Sequence, residues 1–207
     1  MPDSGTIFKA ACANNELKIG TDESDELMIK ISTFDRWHEL LHPLKKRDLA
    51  AFRRVHFIYD VDDEDSDIDR LELFTARFLC SLPQLQTLQL DGWTSTGQLL
   101  QRAIAQASVT SFKELKTVIW GSHGTPLNEL LPLWGFSLEH IEVRMTEPVS
   151  PITHWPAAIS SLRRLNLHRS TIGDRTLREL LRLSPCLETL RYDHLCNIGC
   201  ECGLCLV

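Results

Sequence analysis

Leu162 to Tyr192 reads LRRLNLHRSTIGDRTLRELLRLSPCLETLRY. Arg164-Leu165-Asn166-Leu167-His168 alternates polar and apolar residues, the period of a strand buried on one face. Ser170-Thr171-Ile172-Gly173-Asp174 supplies turn and cap chemistry. Asp174 is the expected N-cap, its carboxylate accepting from the orphan amides of the first helical turn. Leu177, Leu180, Leu181 and Ser184 then recur at helical spacing, with Arg175, Arg178, Glu179 and Arg182 on the other face. Pro185 stops the helix, and Cys186-Leu187 leads into the next strand. The stretch is therefore predicted as strand, helix, strand. Neither element can bury its apolar side alone, so such a unit must stack on others like it.

Working outward, one spacing recurs: apolar, two residues, apolar, one residue, apolar. It appears as Phe52-Val55-Phe57, Leu85-Leu88-Leu90, Leu115-Val118-Trp120, Leu138-Ile141-Val143, Leu162-Leu165-Leu167 and Leu187-Leu190-Tyr192. At 43% apolar content the bare spacing recurs by chance about 16 times in roughly 200 positions, so counting it decides little. Three features make it informative. The anchors are mostly leucine, the last three steps are 23, 24 and 25 residues, and helix-like segments follow the matches. Residues 69–80 form one such helix, burying Leu71, Phe74, Phe78 and Leu79. Residues 98–107 form another, with Leu99, Leu100, Ala103, Ile104 and Ala107 on one face. Pro126 enters a short helix ending near Leu133, and residues 156–161 give a shorter turn.

The first third follows the plan loosely. Leu27-Ile29-Ile31 alternates as a strand, residues 34–49 read as a helix interrupted by Pro43, and residues 53–59 as the next strand. Residues 1–15 are expected to be a frayed or capping segment, and 60–69 a solvated acidic loop. The whole chain, 1–207, reads as a single domain.

The formal charge is −6, and seven acids lie between Asp60 and Asp69; without them the chain would carry +1. The acidity is local, and no basic domain suggests nucleic-acid binding. No apolar run approaches the roughly 20 residues that span a bilayer, and no signal-peptide pattern opens the chain. A cytoplasmic or nuclear protein that binds neither nucleic acid nor membrane is expected. Seven cysteines, an odd number, argue against a complete disulfide framework. Cys12, Cys80 and Cys186 are expected to be small buried apolar groups.

LPQLQTLQL at 82–90, FKELKTVIW at 112–120, SPCLETLRY at 184–192 and, most specifically, STIGDRTLRELL at 170–181 resemble the ribonuclease-inhibitor-like leucine-rich repeats of fungal F-box-like proteins. The resemblance covers Leu82 to Tyr192. It implies an α/β leucine-rich-repeat solenoid of about six to seven strand–helix units, with a parallel sheet on the concave face and helices on the convex face. It also implies the substrate-recognition part of a ubiquitin-ligase adaptor. The F-box, a helical module that begins with a Leu-Pro pair, is not found. Leu82-Pro83 lies inside a repeat and His42-Pro43 stands alone, so recruitment of a ligase is not carried over.

In such a solenoid the residues alternating with the apolar anchors face outward. They are Arg54 and His56; Gln89 and Asp91; Thr117 and Ile119; His140, Glu142 and Arg144; Arg164, Asn166 and His168; and Arg191 and Asp193. This ladder is the candidate surface for a protein or peptide partner, and its basic groups gather toward the C-terminal half.

Other chemistry reads as background. The tail from His194 carries Cys196, Cys200, Cys202 and Cys205, donors suited to zinc. Their spacing, C-x3-C-x-C-x2-C, is not two separated C-x2-C knuckles. Residues 194–207 are therefore expected to be a disordered tail, with metal binding or thiol redox chemistry as the alternative function. The last strand has no following helix, as in a truncated array. An acidic calcium loop from Asp63 fails because Ile68 stands where glycine is needed and Phe74 where glutamate belongs. His38 and His42 have the spacing of a helical metal pair, but Pro43 follows and no third ligand is near. Trp37, Trp93, Trp120, Trp134 and Trp155 read as core or edge aromatics. No nucleophile elbow or phosphate-cradling loop appears. Binding rather than catalysis is expected, with no cofactor and no metal.

Overall fold

The computed structural model describes residues 9–12, 15–19, 25–31, 49–60, 68–92, 112–121, 137–144, 159–170, 172 and 174–194. Among the described residues nine strands form one sheet: β1 (Lys9–Cys12), β2 (Asn15–Ile19), β3 (Glu26–Ile31), β4 (Arg54–Tyr59), β5 (Thr87–Asp91), β6 (Thr117–Gly121), β7 (His140–Arg144), β8 (Arg164–Ser170) and β9 (Thr189–His194). Their order in the sheet is their order in the chain. β1–β2 and β2–β3 pair antiparallel. From β3 to β9 every neighbour is parallel. Parallel neighbours need a crossover of a dozen or more residues. Two crossovers contain the described helices, α1 (Ile68–Cys80) before β5 and α2 (Asp174–Leu183) before β9. The fold is thus α/β, with an open and largely parallel sheet.

Every parallel strand after β3 enters the sheet in the same way. Two consecutive amides bond to one carbonyl of the preceding strand's entry: Arg53 and Arg54 to Asp25, Gln86 and Thr87 to Arg53, Lys116 and Thr117 to Gln86, Glu139 and His140 to Lys116, Arg163 and Arg164 to Glu139, and Glu188 and Thr189 to Arg163, all at 2.7–3.0 Å. A turn precedes most of them. Phe52 bonds back to Leu49, Leu85 to Leu82, Leu115 to Phe112, Leu162 to Ile159 and Leu187 to Ser184. The backbone repeat therefore begins three residues before the anchor that the leucine spacing reveals. Leu82, Phe112 and Ile159 are buried at that extra position; the unit anchored at Leu187 has Ser184, also buried.

One face of the sheet holds the core. Val55, Phe57 and Tyr59, Leu88 and Leu90, Val118 and Trp120, Ile141 and Val143, and Leu165 and Leu167 are all buried in one cluster with Leu27, Ile29 and Ile31 of β3. Ala76, Phe78 and Leu79 of α1 and Leu180 and Leu183 of α2 belong to the same cluster. Full burial of each such aliphatic or aromatic side chain stabilises by about 1.5–3 kcal/mol. The gradient ends at β9, where Leu187 and Tyr192 are half-buried and Leu190 is exposed.

Several expectations are corrected. Ile68 and Asp69 belong to α1, so the acidic loop does not extend to 69; Asp60, at its start, lies 2.8 Å from Lys30. α2 begins at Asp174 itself, which places that carboxylate in the first turn, where the positive end of the helix dipole favours it. The buried face of α2 is Leu180, Leu183 and Ser184, whereas Leu181 is exposed. The cause is rotation about the helix axis: Leu177, Leu180 and Leu183 meet the core, and Leu181 is turned about 100° from Leu180. β8 runs two residues beyond His168, with a register shift against β9 between Leu167 and Ser170. There Arg169 takes a left-handed backbone (φ 48°), as bulged strands allow. Cys186 is exposed in the turn after Pro185, and Cys80 is half-buried against the core. In residues 1–15, Lys9–Cys12 form the outer strand of a hairpin with β2.

The helix at residues 98–107, the helix at 126–133 and most of the one at 34–49 lie outside the described residues, as do Leu195 to Val207 and, with them, Cys196, Cys200, Cys202 and Cys205. His194, assigned to the tail by sequence, ends β9. Among the described residues no helix is long and apolar enough to cross a membrane.

Candidate functional site

The face opposite the core carries the residues that alternate with the buried anchors. The parallel register sorts them into rows across the sheet. Glu26, Arg54, Thr87, Thr117, His140, Arg164 and Thr189 form one; Met28, His56, Gln89, Ile119, Glu142, Asn166 and Arg191 form the next. In a third, Ile58 pairs with Asp91, Asp91 with Gly121, and Arg144 with His168. Every outward residue expected from the repeat lies on this face: Arg54, His56, Gln89, Asp91, Thr117, Ile119, His140, Glu142, Arg144, Arg164, Asn166, His168, Arg191 and Asp193. They are half-buried or exposed. Strands spaced by about 4.8 Å let long side chains reach the neighbouring row, and the polar groups use that reach.

Asp91 is the hub. Its Oδ2 accepts from Gln89 Nε2 at 2.7 Å and lies 2.6 Å from His56 Nε2 on the preceding strand. Its Oδ1 lies 4.0 Å from an Arg144 guanidinium nitrogen two strands away. That long reach crosses β6 over Gly121. A Cβ built on Gly121 would sit 1.9 Å from Asp91 Oδ1, so only glycine leaves this lane open. Arg144 Nε also donates to Glu142 Oε1 at 2.9 Å. Asn166 Nδ2 continues the chain on β8, 3.4 Å from Glu142 Oε2 and 3.3 Å from His140 Nε2. His168 Nδ1 lies 2.9 Å from Asp193 Oδ2 on β9. One polar network therefore joins β4 to β8, and a separate His–Asp pair joins β8 to β9.

Sequence alone places these side chains on one face but gives no hint of Asp91–Arg144. The two are far apart in the chain and on strands that do not pair. The signal that marks the link is Gly121, a glycine closing a strand where the neighbouring units carry a side chain.

Comparison with protein-family models, with curated proteins and with solved structures finds no match to this chain. The functional reading therefore rests on its own residues. Among those described, no group of three or more histidine, cysteine, aspartate or glutamate side chains is arranged to hold a metal ion.

The network tunes its carboxyls. Burial pushes Asp91 up, but the hydrogen bonds from His56 and Gln89 and the charges of His56 and Arg144 outweigh it and hold the group below its ordinary 3.8. Burial likewise raises Glu142, while Arg144 and Asn166 bring it below its ordinary 4.5. His140 is lowered from 6.5, by burial first and then by the Arg164 charge. All three groups bind protons less readily folded than unfolded, so stability rises with pH wherever the unfolded chain holds more protons. Their contributions are complete at neutral pH. His140's is lost as pH falls below about 6.5, and those of Asp91 and Glu142 as it falls below about 4.5. Urea midpoints measured at pH 7.5, 5.5 and 3.5 are expected to decline at each step. In His140→Gln the first step should shrink; an unchanged first step would remove His140 from the account.

Proposed function

We propose that this chain is a leucine-rich-repeat solenoid acting as a protein-docking module. It works by binding rather than by catalysis, and corresponds to the substrate-recognition part of an F-box-like adaptor. The observation that carries this reading is the polar sheet face. Its side chains stand in register across seven parallel strands, a span of about 29 Å, on the face opposite the buried strand residues. A surface of that length suits an extended segment or the side of a globular partner. The recurring strand-entry hydrogen bonds support the repeat, since each unit repeats one backbone plan. The adaptor assignment rests on the resemblance of residues 82–192 to F-box-like repeats.

The pre-ordered network lowers the cost of binding, because side chains already held by one another lose less freedom on docking. Affinity capture with the wild type and with the double variant Glu142→Ala/Arg144→Ala tests the reading. Partners retained by the wild type should be lost, at least about tenfold, from the face variant. They should be kept by Arg178→Ala on the exposed side of α2. Equal recovery on all three proteins would show that this face is not the docking surface.

A further inference from the structure

The charges on the polar face are not evenly answered. From β4 to β7 the cations have acids beside them: Arg54 lies 3.7 Å from Asp25, His56 2.6 Å from Asp91, and Arg144 2.9 Å from Glu142. Toward β8 and β9 the match is partial: Arg163 has Glu188 and His168 has Asp193 beside it. Arg164 and Arg191 are exposed and have no acidic partner among the described residues. The nearby acids are engaged elsewhere. Asp193 is held by His168 at 2.9 Å, Glu142 by Arg144 and Asn166, and Glu188 by Arg163. The two guanidinium groups stand beside polar neighbours, since Arg164 pairs across the sheet with His140, and Asn166 with Arg191.

We propose that Arg164 and Arg191 form an anion-reading corner of the polar face, and that its occupant is an extended acidic protein segment with carboxylates at alternate positions. The inference rests on the reading of this face as a docking surface and adds the chemistry of the partner. The geometry argues for the alternation. Arg164 and Arg191 stand one strand apart and two residues apart along the strand, so their Cα atoms lie about 8 Å from each other. Carboxylates two residues apart on an extended chain are separated by about 6.6 Å and project to the same side. Each can then meet one guanidinium, which binds a carboxylate through paired N–H donors. Repulsion also selects. The Asp91–Glu142 half of the face already holds its own carboxylates, so an acidic segment is turned toward β8 and β9.

The test uses the full chain and a fluorescent peptide, DVDVDVD, blocked at both ends, with NVNVNVN as the uncharged comparison. Binding is read by fluorescence anisotropy. DVDVDVD is expected to bind and NVNVNVN is not. Arg164→Gln and Arg191→Gln should each weaken DVDVDVD by about tenfold, whereas Arg178→Gln on α2, which removes the same charge, should leave it unchanged. The loss should persist at 150 mM salt, about one 8 Å screening length. Equal weakening by Arg178→Gln would reduce the effect to net charge and overturn the corner. So would displacement by tripolyphosphate at the concentration of peptide, which marks a generic anion site. Self-association that Arg164→Gln abolishes would support the assignment and make the acidic run at 60–67 of a second copy the segment that docks. The two readings fail separately. A peptide indifferent to Arg164 and Arg191, while captured partners still depend on Glu142 and Arg144, removes the corner and leaves the docking face.

Discussion

Replacing Trp120 with alanine is expected to lower the unfolding free energy by about 3–5 kcal/mol. Trp120 is fully buried in the cluster beneath the sheet. It sits on β6, the middle of the seven parallel strands, in register with Leu90 on one side and Val143 on the other. Truncation removes the largest of the fully buried side chains and leaves a cavity. The walls cannot close on it, because Leu90 and Val143 are fixed by the ladders of β5 and β7 and a strand cannot slip by one residue without turning its apolar side to solvent. Trp120→Phe keeps an aromatic ring there and should cost less than half as much. Guanidinium unfolding followed by circular dichroism reads both. A loss below about 1 kcal/mol for alanine, within the range of a surface substitution, would mean that the core does not close over β6 as described.

Gly92→Ala is expected to cost about 2–4 kcal/mol, from backbone strain and steric overlap together. Gly92 follows β5 directly with φ +80°, and its amide bonds to Gly121 O at 3.2 Å. A Cβ there would lie 1.8 Å from the backbone oxygen of Tyr59 on β4. Backbone in a paired strand cannot yield as the tip of a flexible side chain can. Two effects add, a left-handed conformation that disfavours L-residues and an overlap with the sheet itself. Gly92→Asn separates them. Asparagine tolerates the left-handed region but carries the same Cβ, so it should recover only a small part of the loss. Wild-type stability in Gly92→Asn would show that the conformation alone requires glycine.

The strands were legible because they alternate. Leu88 and Leu90, Ile141 and Val143, and Leu165 and Leu167 each have polar residues on either side, and a half-buried strand has no other way to be written. Their sequential parallel order followed from the recurrence of one unit. The N-terminal hairpin was not legible. Lys9-Ala10-Ala11-Cys12 is four residues long with two alanines and carries no amphipathic signal, and antiparallel pairing at that edge breaks the pattern of the rest. The extra anchors at Leu82, Phe112 and Ile159 were hidden for another reason. They lie in turns rather than in strands, where no period marks them. On α2, helical spacing groups Leu181 with Leu180, yet Leu181 is exposed while Leu180 and Leu183 are buried. The polar face was legible as membership and not as connection. Alternation says that Asp91 and Arg144 point the same way; that they meet depends on register across two ladders and on the missing side chain of Gly121.

The paired amides at each strand entry have a consequence for how such a chain can change. The carbonyls that receive them, at Asp25, Arg53, Gln86, Lys116, Glu139 and Arg163, lie 23 to 33 residues apart along the sequence, yet the hydrogen bonds they accept all measure 2.7–3.0 Å. Chain length and strand spacing are thereby uncoupled. Each entry acts as a ratchet tooth that resets the ladder, whatever the preceding crossover contained. Insertions and deletions between strands are absorbed before they reach the next one, so the polar rows stay aligned while the connections drift.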